Sequence, residues 1–297
     1  MRIENIVNIT DGDLINEGYI KDILEFNDEV KKVKRESLFI SNNIDDIKEA
    51  IKKGAYAILF SKDIEIIDEE IAWIRVDDLN EALLKLLKYK LLNKTLYYTD
   101  KITLQIIKSI NRDKRLAILD KIKAKYLNNE YIYITSQERI KNLSANVEIL
   151  EKTAEIKLIH TTIFISDIMY KNQKYSLIFP SLYKNELQKG LYFFENLELA
   201  YHLKDIRLNR FIPQFINSRY EKVEFGRTER VVIQGIKKDK YFIKELNYIF
   251  EKIQYAKVKF YDENNLNDFY KDNFNFAVLI DCEVELKEKQ LKEESLF

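Results

Sequence analysis

The chain has 297 residues with 49 basic and 49 acidic side chains, so a net charge of zero offers no general attraction to nucleic acid or an acidic membrane face. The length suggests about two domains, and apolar residues make up 46%, enough for substantial cores. The single cysteine, Cys282, excludes an internal disulfide, and the absence of any run of about 18 apolar residues argues against a membrane span. The opening MRIENIVNITDGD lacks the uninterrupted apolar segment of a signal peptide, so a cytoplasmic protein is expected.

In chain order, a short helix is expected over residues 15–24, capped by Asp11 or Asp13. The charged stretch DEVKKVKRESLFIS ends as a strand at residues 37–41. Residues 44–53 form an amphipathic helix with Ile44, Ile47, Ala50 and Ile51 on one side, and Gly54 supplies a left-handed cap. Residues 55–60 and 71–76 read as strands, after which Asp77 and Asp78 cap a helix over 79–90. TLYYT (95–99) is a strand that runs at once into a helix over 101–110. Residues 112–126, with the run LAIL, read as mostly helical; YIYIT (131–135) is a strand, 137–143 is helical and 147–150 is a strand.

From Glu155 the texture changes to alternation, and Lys171-Asn172-Gln173 between two apolar runs signals a β-hairpin. A helix follows over 182–194, and residues 197–215 read as two short helices broken before Pro213. Strands over 230–234, 256–261 and 274–280 are separated by a strong helix over 239–253 and a short one over 266–270, a spacing that predicts a parallel sheet. Residues 283–297 form a charge-mixed tail. The expected fold is therefore α/β: one α/β domain over residues 1–92 and a second, with a mostly parallel sheet, over 93–282.

Three segments, VKKVKRESLFI, EAIKKGAYAILF and WIRVDDLNEALLKLL, carry a family pattern. Their order resembles the N-terminal uridine-nucleotide-binding domain of the Mur ligases, nearest to those adding amino acids or D-Ala-D-Ala to UDP-muramoyl peptides. The spacing is shorter than in that family, whose Gly-rich segment after LF is missing. Fainter similarity lies in SLYKNELQKGLYFF, FIPQFINSRYEKVEF and RVVIQGIKKDKYFIKELNYIF. The resemblance implies a nucleotide-binding domain followed by a reduced central domain, without the family's third, C-terminal domain. It also implies an ATP loop ending in GKT after the strand TLYYT. Here only Asp100 and Lys101 stand between that strand and ITLQIIKSI, so Thr99, Lys101 and Thr103 are the remaining nucleotide-loop positions. A phosphate loop needs successive backbone N–H groups freed by glycines, and none is present. The family's Asp-Ser-Arg falls on Glu29-Val30-Lys31, where the expected hydroxyl has become Val30.

Arginines are concentrated between Arg207 and Arg230: Arg207, Arg210, Arg219, Arg227 and Arg230. EFGRTER adds a turn ahead of the strand, making Arg219, Arg227, Thr228 and Arg230 candidate ligands for an anion or phosphate. The alternative is a set of surface ion pairs with Glu221, Glu224 and Glu229. His160 and His202, with one cysteine and no clustered carboxylates, fit neither zinc nor calcium patterns, and no G-x-S-x-G elbow is present. No metal, no cofactor and no catalytic residue is expected. Lys and aromatics interleave in KNQKYSLIFPSLYK, but zero net charge argues against nucleic acid. The leading expectation is a non-catalytic Mur-ligase-like protein that binds a protein partner or a UDP-linked cell-wall precursor. The rivals are an enzyme or binding protein for a nucleotide or phosphorylated ligand at Arg207–Arg230, and a structural or assembly protein.

Overall fold

The structure, a computed structural model, describes residues 1–287. The first elements are α1 (Ile3–Thr10), β1 (Asp13–Asn16), β2 (Glu25–Asn27), β3 (Ser37–Ile40), α2 (Ile44–Lys52), β4 (Ala55–Phe60), β5 (Ala72–Arg75) and α3 (Leu79–Lys90). They are followed by β6 (Leu96–Tyr98), α4 (Lys101–Ile110), β7 (Leu116–Ile118), β8 (Ile132–Thr135), α5 (Glu138–Lys141) and β9 (Val147–Ile149). Next come β10 (Lys157–Thr161), β11 (Ile165–Tyr170), β12 (Gln173–Ile178), α6 (Lys184–Asn196) and β13 (Ile212–Phe215). The described chain closes with β14 (Val231–Ile236), α7 (Phe242–Lys252), β15 (Val258–Tyr261) and β16 (Phe276–Ile280). The α/β class expected from the sequence is observed. No helix among the described residues is long and apolar enough to cross a membrane.

The sequence places a domain boundary near residue 92; by compactness the chain divides into Met1–Asp100 with Asp113–Leu150, and Lys101–Arg112 with the residues from Glu151 onward. The first unit holds two sheets. One has strand order β1-β5-β4-β3-β2, parallel apart from β1, and the other is the all-parallel β7-β8-β6-β9. Alternate residues of the first sheet enter two different cores. Leu38, Ile40, Ala57, Leu59, Ala72 and Ile74 join one, while Phe39, Ile58, Phe60 and Trp73 join the other. Burial on both faces explains why these strands read as continuous apolar runs. Two caps agree with the sequence, Asp78 accepting from Glu81 N–H and Gly54 taking φ 89° after α2, and Asn43 also caps α2 by accepting from Asp45 and Asp46 N–H.

The second unit contains α4 against α6, the antiparallel sheet β10-β11-β12, and the mixed sheet β13-β14-β16-β15. At the β11–β12 turn, Lys171 and Asn172 take φ 49° and 61°, the left-handed pair a two-residue hairpin requires. Strands β14, β16 and β15 are parallel, as the spacing predicted, and β13 is antiparallel on the edge.

Three local expectations are corrected. Residues 15–24 are not a helix: α1 lies earlier and ends at Asp11 (φ 52°). The chain then pairs as β1 with β5, and the Asn16 amide donates to the carbonyls of Glu69 (2.8 Å) and Ile71 (2.7 Å). Residues 112–126 are not mostly helical. Leu116–Ile118 is a wholly buried strand beside β8, with a 3-10 turn at Ala124–Leu127; a short buried run carries no periodicity to separate strand from helix. Residues 197–215 hold a single 3-10 turn, Leu203–Asp205, and the strand β13. Pro213 sits in that edge strand opposite Ile233, where a missing N–H breaks no ladder on the open side. The tail expected over 283–297 lies, from residue 288 on, outside the described residues.

Gly235 marks a register shift in β14, at φ 80°. A Cβ there would sit 2.7 Å from the Asn209 carbonyl oxygen and 3.0 Å from Arg210 Cα, both backbone atoms that cannot rotate away. Gly235→Ala is therefore expected to lower stability by about 2 kcal/mol or more, read as a shift in the urea midpoint at unchanged slope.

Candidate functional site

The nucleotide-loop positions divide between the two units. In the first, β6 ends at Tyr98, and the Thr99 N–H donates to the Thr135 carbonyl at 3.0 Å. Thr99 is buried, and its hydroxyl has no partner among the described residues. Tyr98 donates to Glu138 at 2.6 Å, a bond that pushes its phenol up to about 12. In the second unit, Lys101 is exposed at the start of α4 and its charge reaches the carboxylate of Asp239, while Thr103 is fully buried within α4. Two residues thus separate the end of β6 from the start of α4.

Of the Glu29-Val30-Lys31 positions, Glu29 pairs with Lys32 at 2.7 Å, and that bond, with further pull from Lys123 and Lys125, lowers its pKa against the effect of burial. Val30 packs against the Phe39–Trp73 core, its carbonyl accepts from Lys53 Nζ at 3.2 Å, and Lys31 is exposed. Just ahead of them, at the carboxyl end of β2, Asn27 is buried with its amide nitrogen unpartnered.

The arginines of residues 207–230 do not converge. Arg207 is exposed and donates to the Ile206 carbonyl at 2.6 Å. Arg219 is exposed, with its backbone N–H held by Asn217 Oδ1 at 2.9 Å. Arg227 pairs with Glu224 at 2.6 Å on the surface, and the Thr228 hydroxyl accepts from the Arg230 N–H at 3.3 Å. Arg230 stacks its guanidinium on two rings, 4.8 Å from the centre of Tyr220 and 4.6 Å from Phe274, with Nε buried and unpartnered. Of the histidines, His160 is exposed in β10 and His202 Nδ1 lies 2.9 Å from Asp205 Oδ2. Burial pushes the Cys282 thiol up. No group of three or more metal-ligating side chains occurs among the described residues.

Arg210 is the exception, because it turns inward. Its side chain is 7% exposed and meets Glu245, which is fully buried, through Nε–Oε1 and through Nη2–Oε2 at 2.8 Å. It also bonds Asp239 twice, at 2.7 and 3.0 Å, and donates to the Lys237 carbonyl at 3.2 Å. Tyr183 donates to the same Glu245. Burial works against the guanidinium charge, but Glu245 and then Asp239 outweigh it and raise the Arg210 pKa. Burial and the neighbouring Glu245 charge raise Tyr183. Asp239 is lowered: burial opposes ionisation, but the Tyr241 N–H and Arg210 overcome it. With two carboxylates on one guanidinium, Arg210 has no positive charge to spare for an anion. A cavity of about 190 Å³ lies beside Arg207 and Arg210, walled largely by Phe164, Pro180, Phe211 and Pro213.

Sequence reasoning counted Arg210 among the basic residues and missed Glu245, Asp239 and Tyr183. A signal for Glu245 existed: it falls on the buried stripe of α7 with Tyr248 and Ile249, where an acidic residue requires a cation.

No family model matches this chain, and no curated protein matches it. Among solved structures it is similar to a UDP-N-acetylmuramoylalanyl-D-glutamyl-2,6-diaminopimelate–D-alanyl-D-alanyl ligase from Acinetobacter baumannii, at TM-score 0.47 and 9% identity over 94% of each chain. It is also similar to MurF from Acinetobacter baumannii, at TM-score 0.45 and 10% identity over 94% of this chain and 84% of that one. A third similar structure is the MurF ligase from Thermotoga maritima in complex with ADP, at TM-score 0.42 and 13% identity over 88% and 95% of the two chains.

Glu245→Ala leaves Arg210 buried without its main partner and is expected to cost about 3–5 kcal/mol in urea unfolding, whereas Arg210→Met combined with Glu245→Leu costs far less. Asp239 has a folded pKa below its unfolded value, so its stabilisation is complete above about pH 4 and is lost as pH falls through the folded value. The loss of stability between about pH 5 and 3 is therefore expected to be smaller in Asp239→Asn than in the unmodified chain, measured by thermal unfolding across that range.

Proposed function

We propose that this chain is a non-catalytic, Mur-ligase-like protein that binds a protein partner or a UDP-linked cell-wall precursor. The observation that carries the first half of this reading is the passage from β6 to α4. Two residues stand there, and the N–H of the first, Thr99, is already given to Thr135, so it is not available to a phosphate. The three sequence segments quoted above support the family likeness. The precursor reading is supported by the carboxyl end of β2, the side of a parallel sheet where ligands of α/β folds bind. There Asn27 keeps a buried, unpartnered amide donor, and Lys32, Lys123 and Lys125 act on the same neighbourhood through Glu29. Ligation would need ATP, Mg²⁺, a carboxylate and an amine held together, and no residue of this chain is assigned to that chemistry.

One observation favours a second reading, a phosphorylated ligand in the 207–230 region: among the described residues Arg230 has no carboxylate partner and its Nε is unsatisfied. Thermal unfolding of the full chain with Mg·ATP, UDP and a UDP-muramoyl peptide separates the two. The expected result is stabilisation by the UDP-muramoyl peptide, rising with concentration and reduced in Asn27→Leu, with no shift from Mg·ATP. Stabilisation by Mg·ATP that Lys101→Ala abolishes overturns the non-catalytic reading. Stabilisation by phosphate ligands that Arg230→Gln abolishes and Asn27→Leu leaves intact favours the second.

A further inference from the structure

An apolar cavity of the second unit, about 410 Å³, opens at the amino-terminal ends of β14 and β16, beside the β10–β11 turn. Four rings form a continuous wall. Phe225 lies 4.7 Å from Phe215 between ring centres, Phe215 lies 6.1 Å from Phe164, and Phe164 lies 6.4 Å from Phe276. Phe164 is buried, while Phe225, at the mouth, is 41% exposed. The volume is that of a site for one small molecule.

The charge of the lining is one-sided. Glu229 is the only charged residue on it, is exposed, and makes no ion pair or hydrogen bond through its carboxylate among the described residues. The hydroxyls of Thr162 and Thr228, also on the lining, already accept from the N–H groups of Ile165 and Arg230. The neighbouring arginines do not reach in. Arg227 is held by Glu224, and Arg230 stacks on Tyr220 and Phe274 rather than lining the cavity. Glu229 therefore lines the cavity while the next residue, Arg230, does not. A negative carboxylate, hydroxyl oxygens and the negative faces of phenyl rings together suit a cation with an apolar body, and disfavour an anion.

We propose that this cavity binds a small organic ammonium carrying an aromatic or branched apolar group, the ring wall taking the apolar body and Glu229 the charge. The site is separate from the precursor reading above and stands or falls independently of it. The test is ligand-observed NMR titration of the full chain at pH 7 and low salt with 2-phenylethylammonium, the neutral 2-phenylethanol and the anion phenylacetate. The ammonium is expected to bind about tenfold more tightly than the alcohol, and phenylacetate more weakly than either. In Glu229→Gln the ammonium and the alcohol should bind alike, and Phe225→Ala, which removes a half-exposed ring, should weaken both while far-UV circular dichroism stays unchanged. Equal binding of ammonium and alcohol to the unmodified chain overturns the proposal. So does a preference that survives Glu229→Gln, or no binding of the ammonium at millimolar concentration.

Discussion

Arg210 and Glu245 share a site in which neither could hold a charge alone. Glu245 is fully buried on α7 and Arg210 is nearly so, and the Arg210 guanidinium donates two hydrogen bonds to the Glu245 carboxylate. A lone ion in such surroundings costs several kcal/mol, so the pair must form together. Its consequence is positional. The bond fixes α7 against the segment entering β13, Asp239 adds the loop after β14, and Tyr183 adds the turn before α6. Gly235 is the backbone counterpart: lacking a Cβ, it lets β14 pass beneath Asn209 and Arg210 at a distance no other residue permits. The ion pair and its neighbours thus join four segments of the second unit.

The same principle sorts the other arginines. Where a guanidinium is buried it is spent on carboxylates; where it is half-buried, at Arg230, it lies between rings that tolerate its charge without hydrogen bonds; where it is exposed, at Arg227, it finds a surface glutamate. A string of basic residues close in sequence is thereby dispersed into separate environments. Glu229, between two arginines in sequence, is left at the edge of an aromatic cavity with no counter-ion among the described residues. Separation of adjacent charges onto different faces gives this region two unlike surfaces.

In the first unit, packing is governed by burial of the parallel strands on both faces, which leaves their ends as the places for polar chemistry. The unpartnered amide nitrogen of Asn27 at the end of one sheet, and the buried hydroxyl of Thr99 at the end of the other, are the buried side-chain polar atoms of this unit without a partner among the described residues. Thr99 combines an N–H already committed to the neighbouring strand with a chain that enters the helix two residues after β6.

Elements whose signal is local were legible in the sequence. Asp78 capped α3, Gly54 ended α2, Lys171-Asn172 turned the hairpin, and the strand–helix–strand spacing from residue 230 onward announced three parallel strands. Elements that depend on a distant partner were not. The run at Leu116–Ile118 is a strand because β8 lies beside it, Pro213 is in a strand because that strand is an edge, and β1 exists because β5 accepts it. The candidate ligand residues were legible as types, and their grouping was not, since adjacency along a chain says nothing about which face a side chain takes. What the sequence by itself determined was the α/β class and the caps and turns, because those follow from the conformational preferences of a few neighbouring residues. Only the tertiary structure decided that Arg210 is buried against Glu245 and that Glu229 lines an aromatic cavity. Burial and charge pairing are properties of the space between segments far apart in the chain.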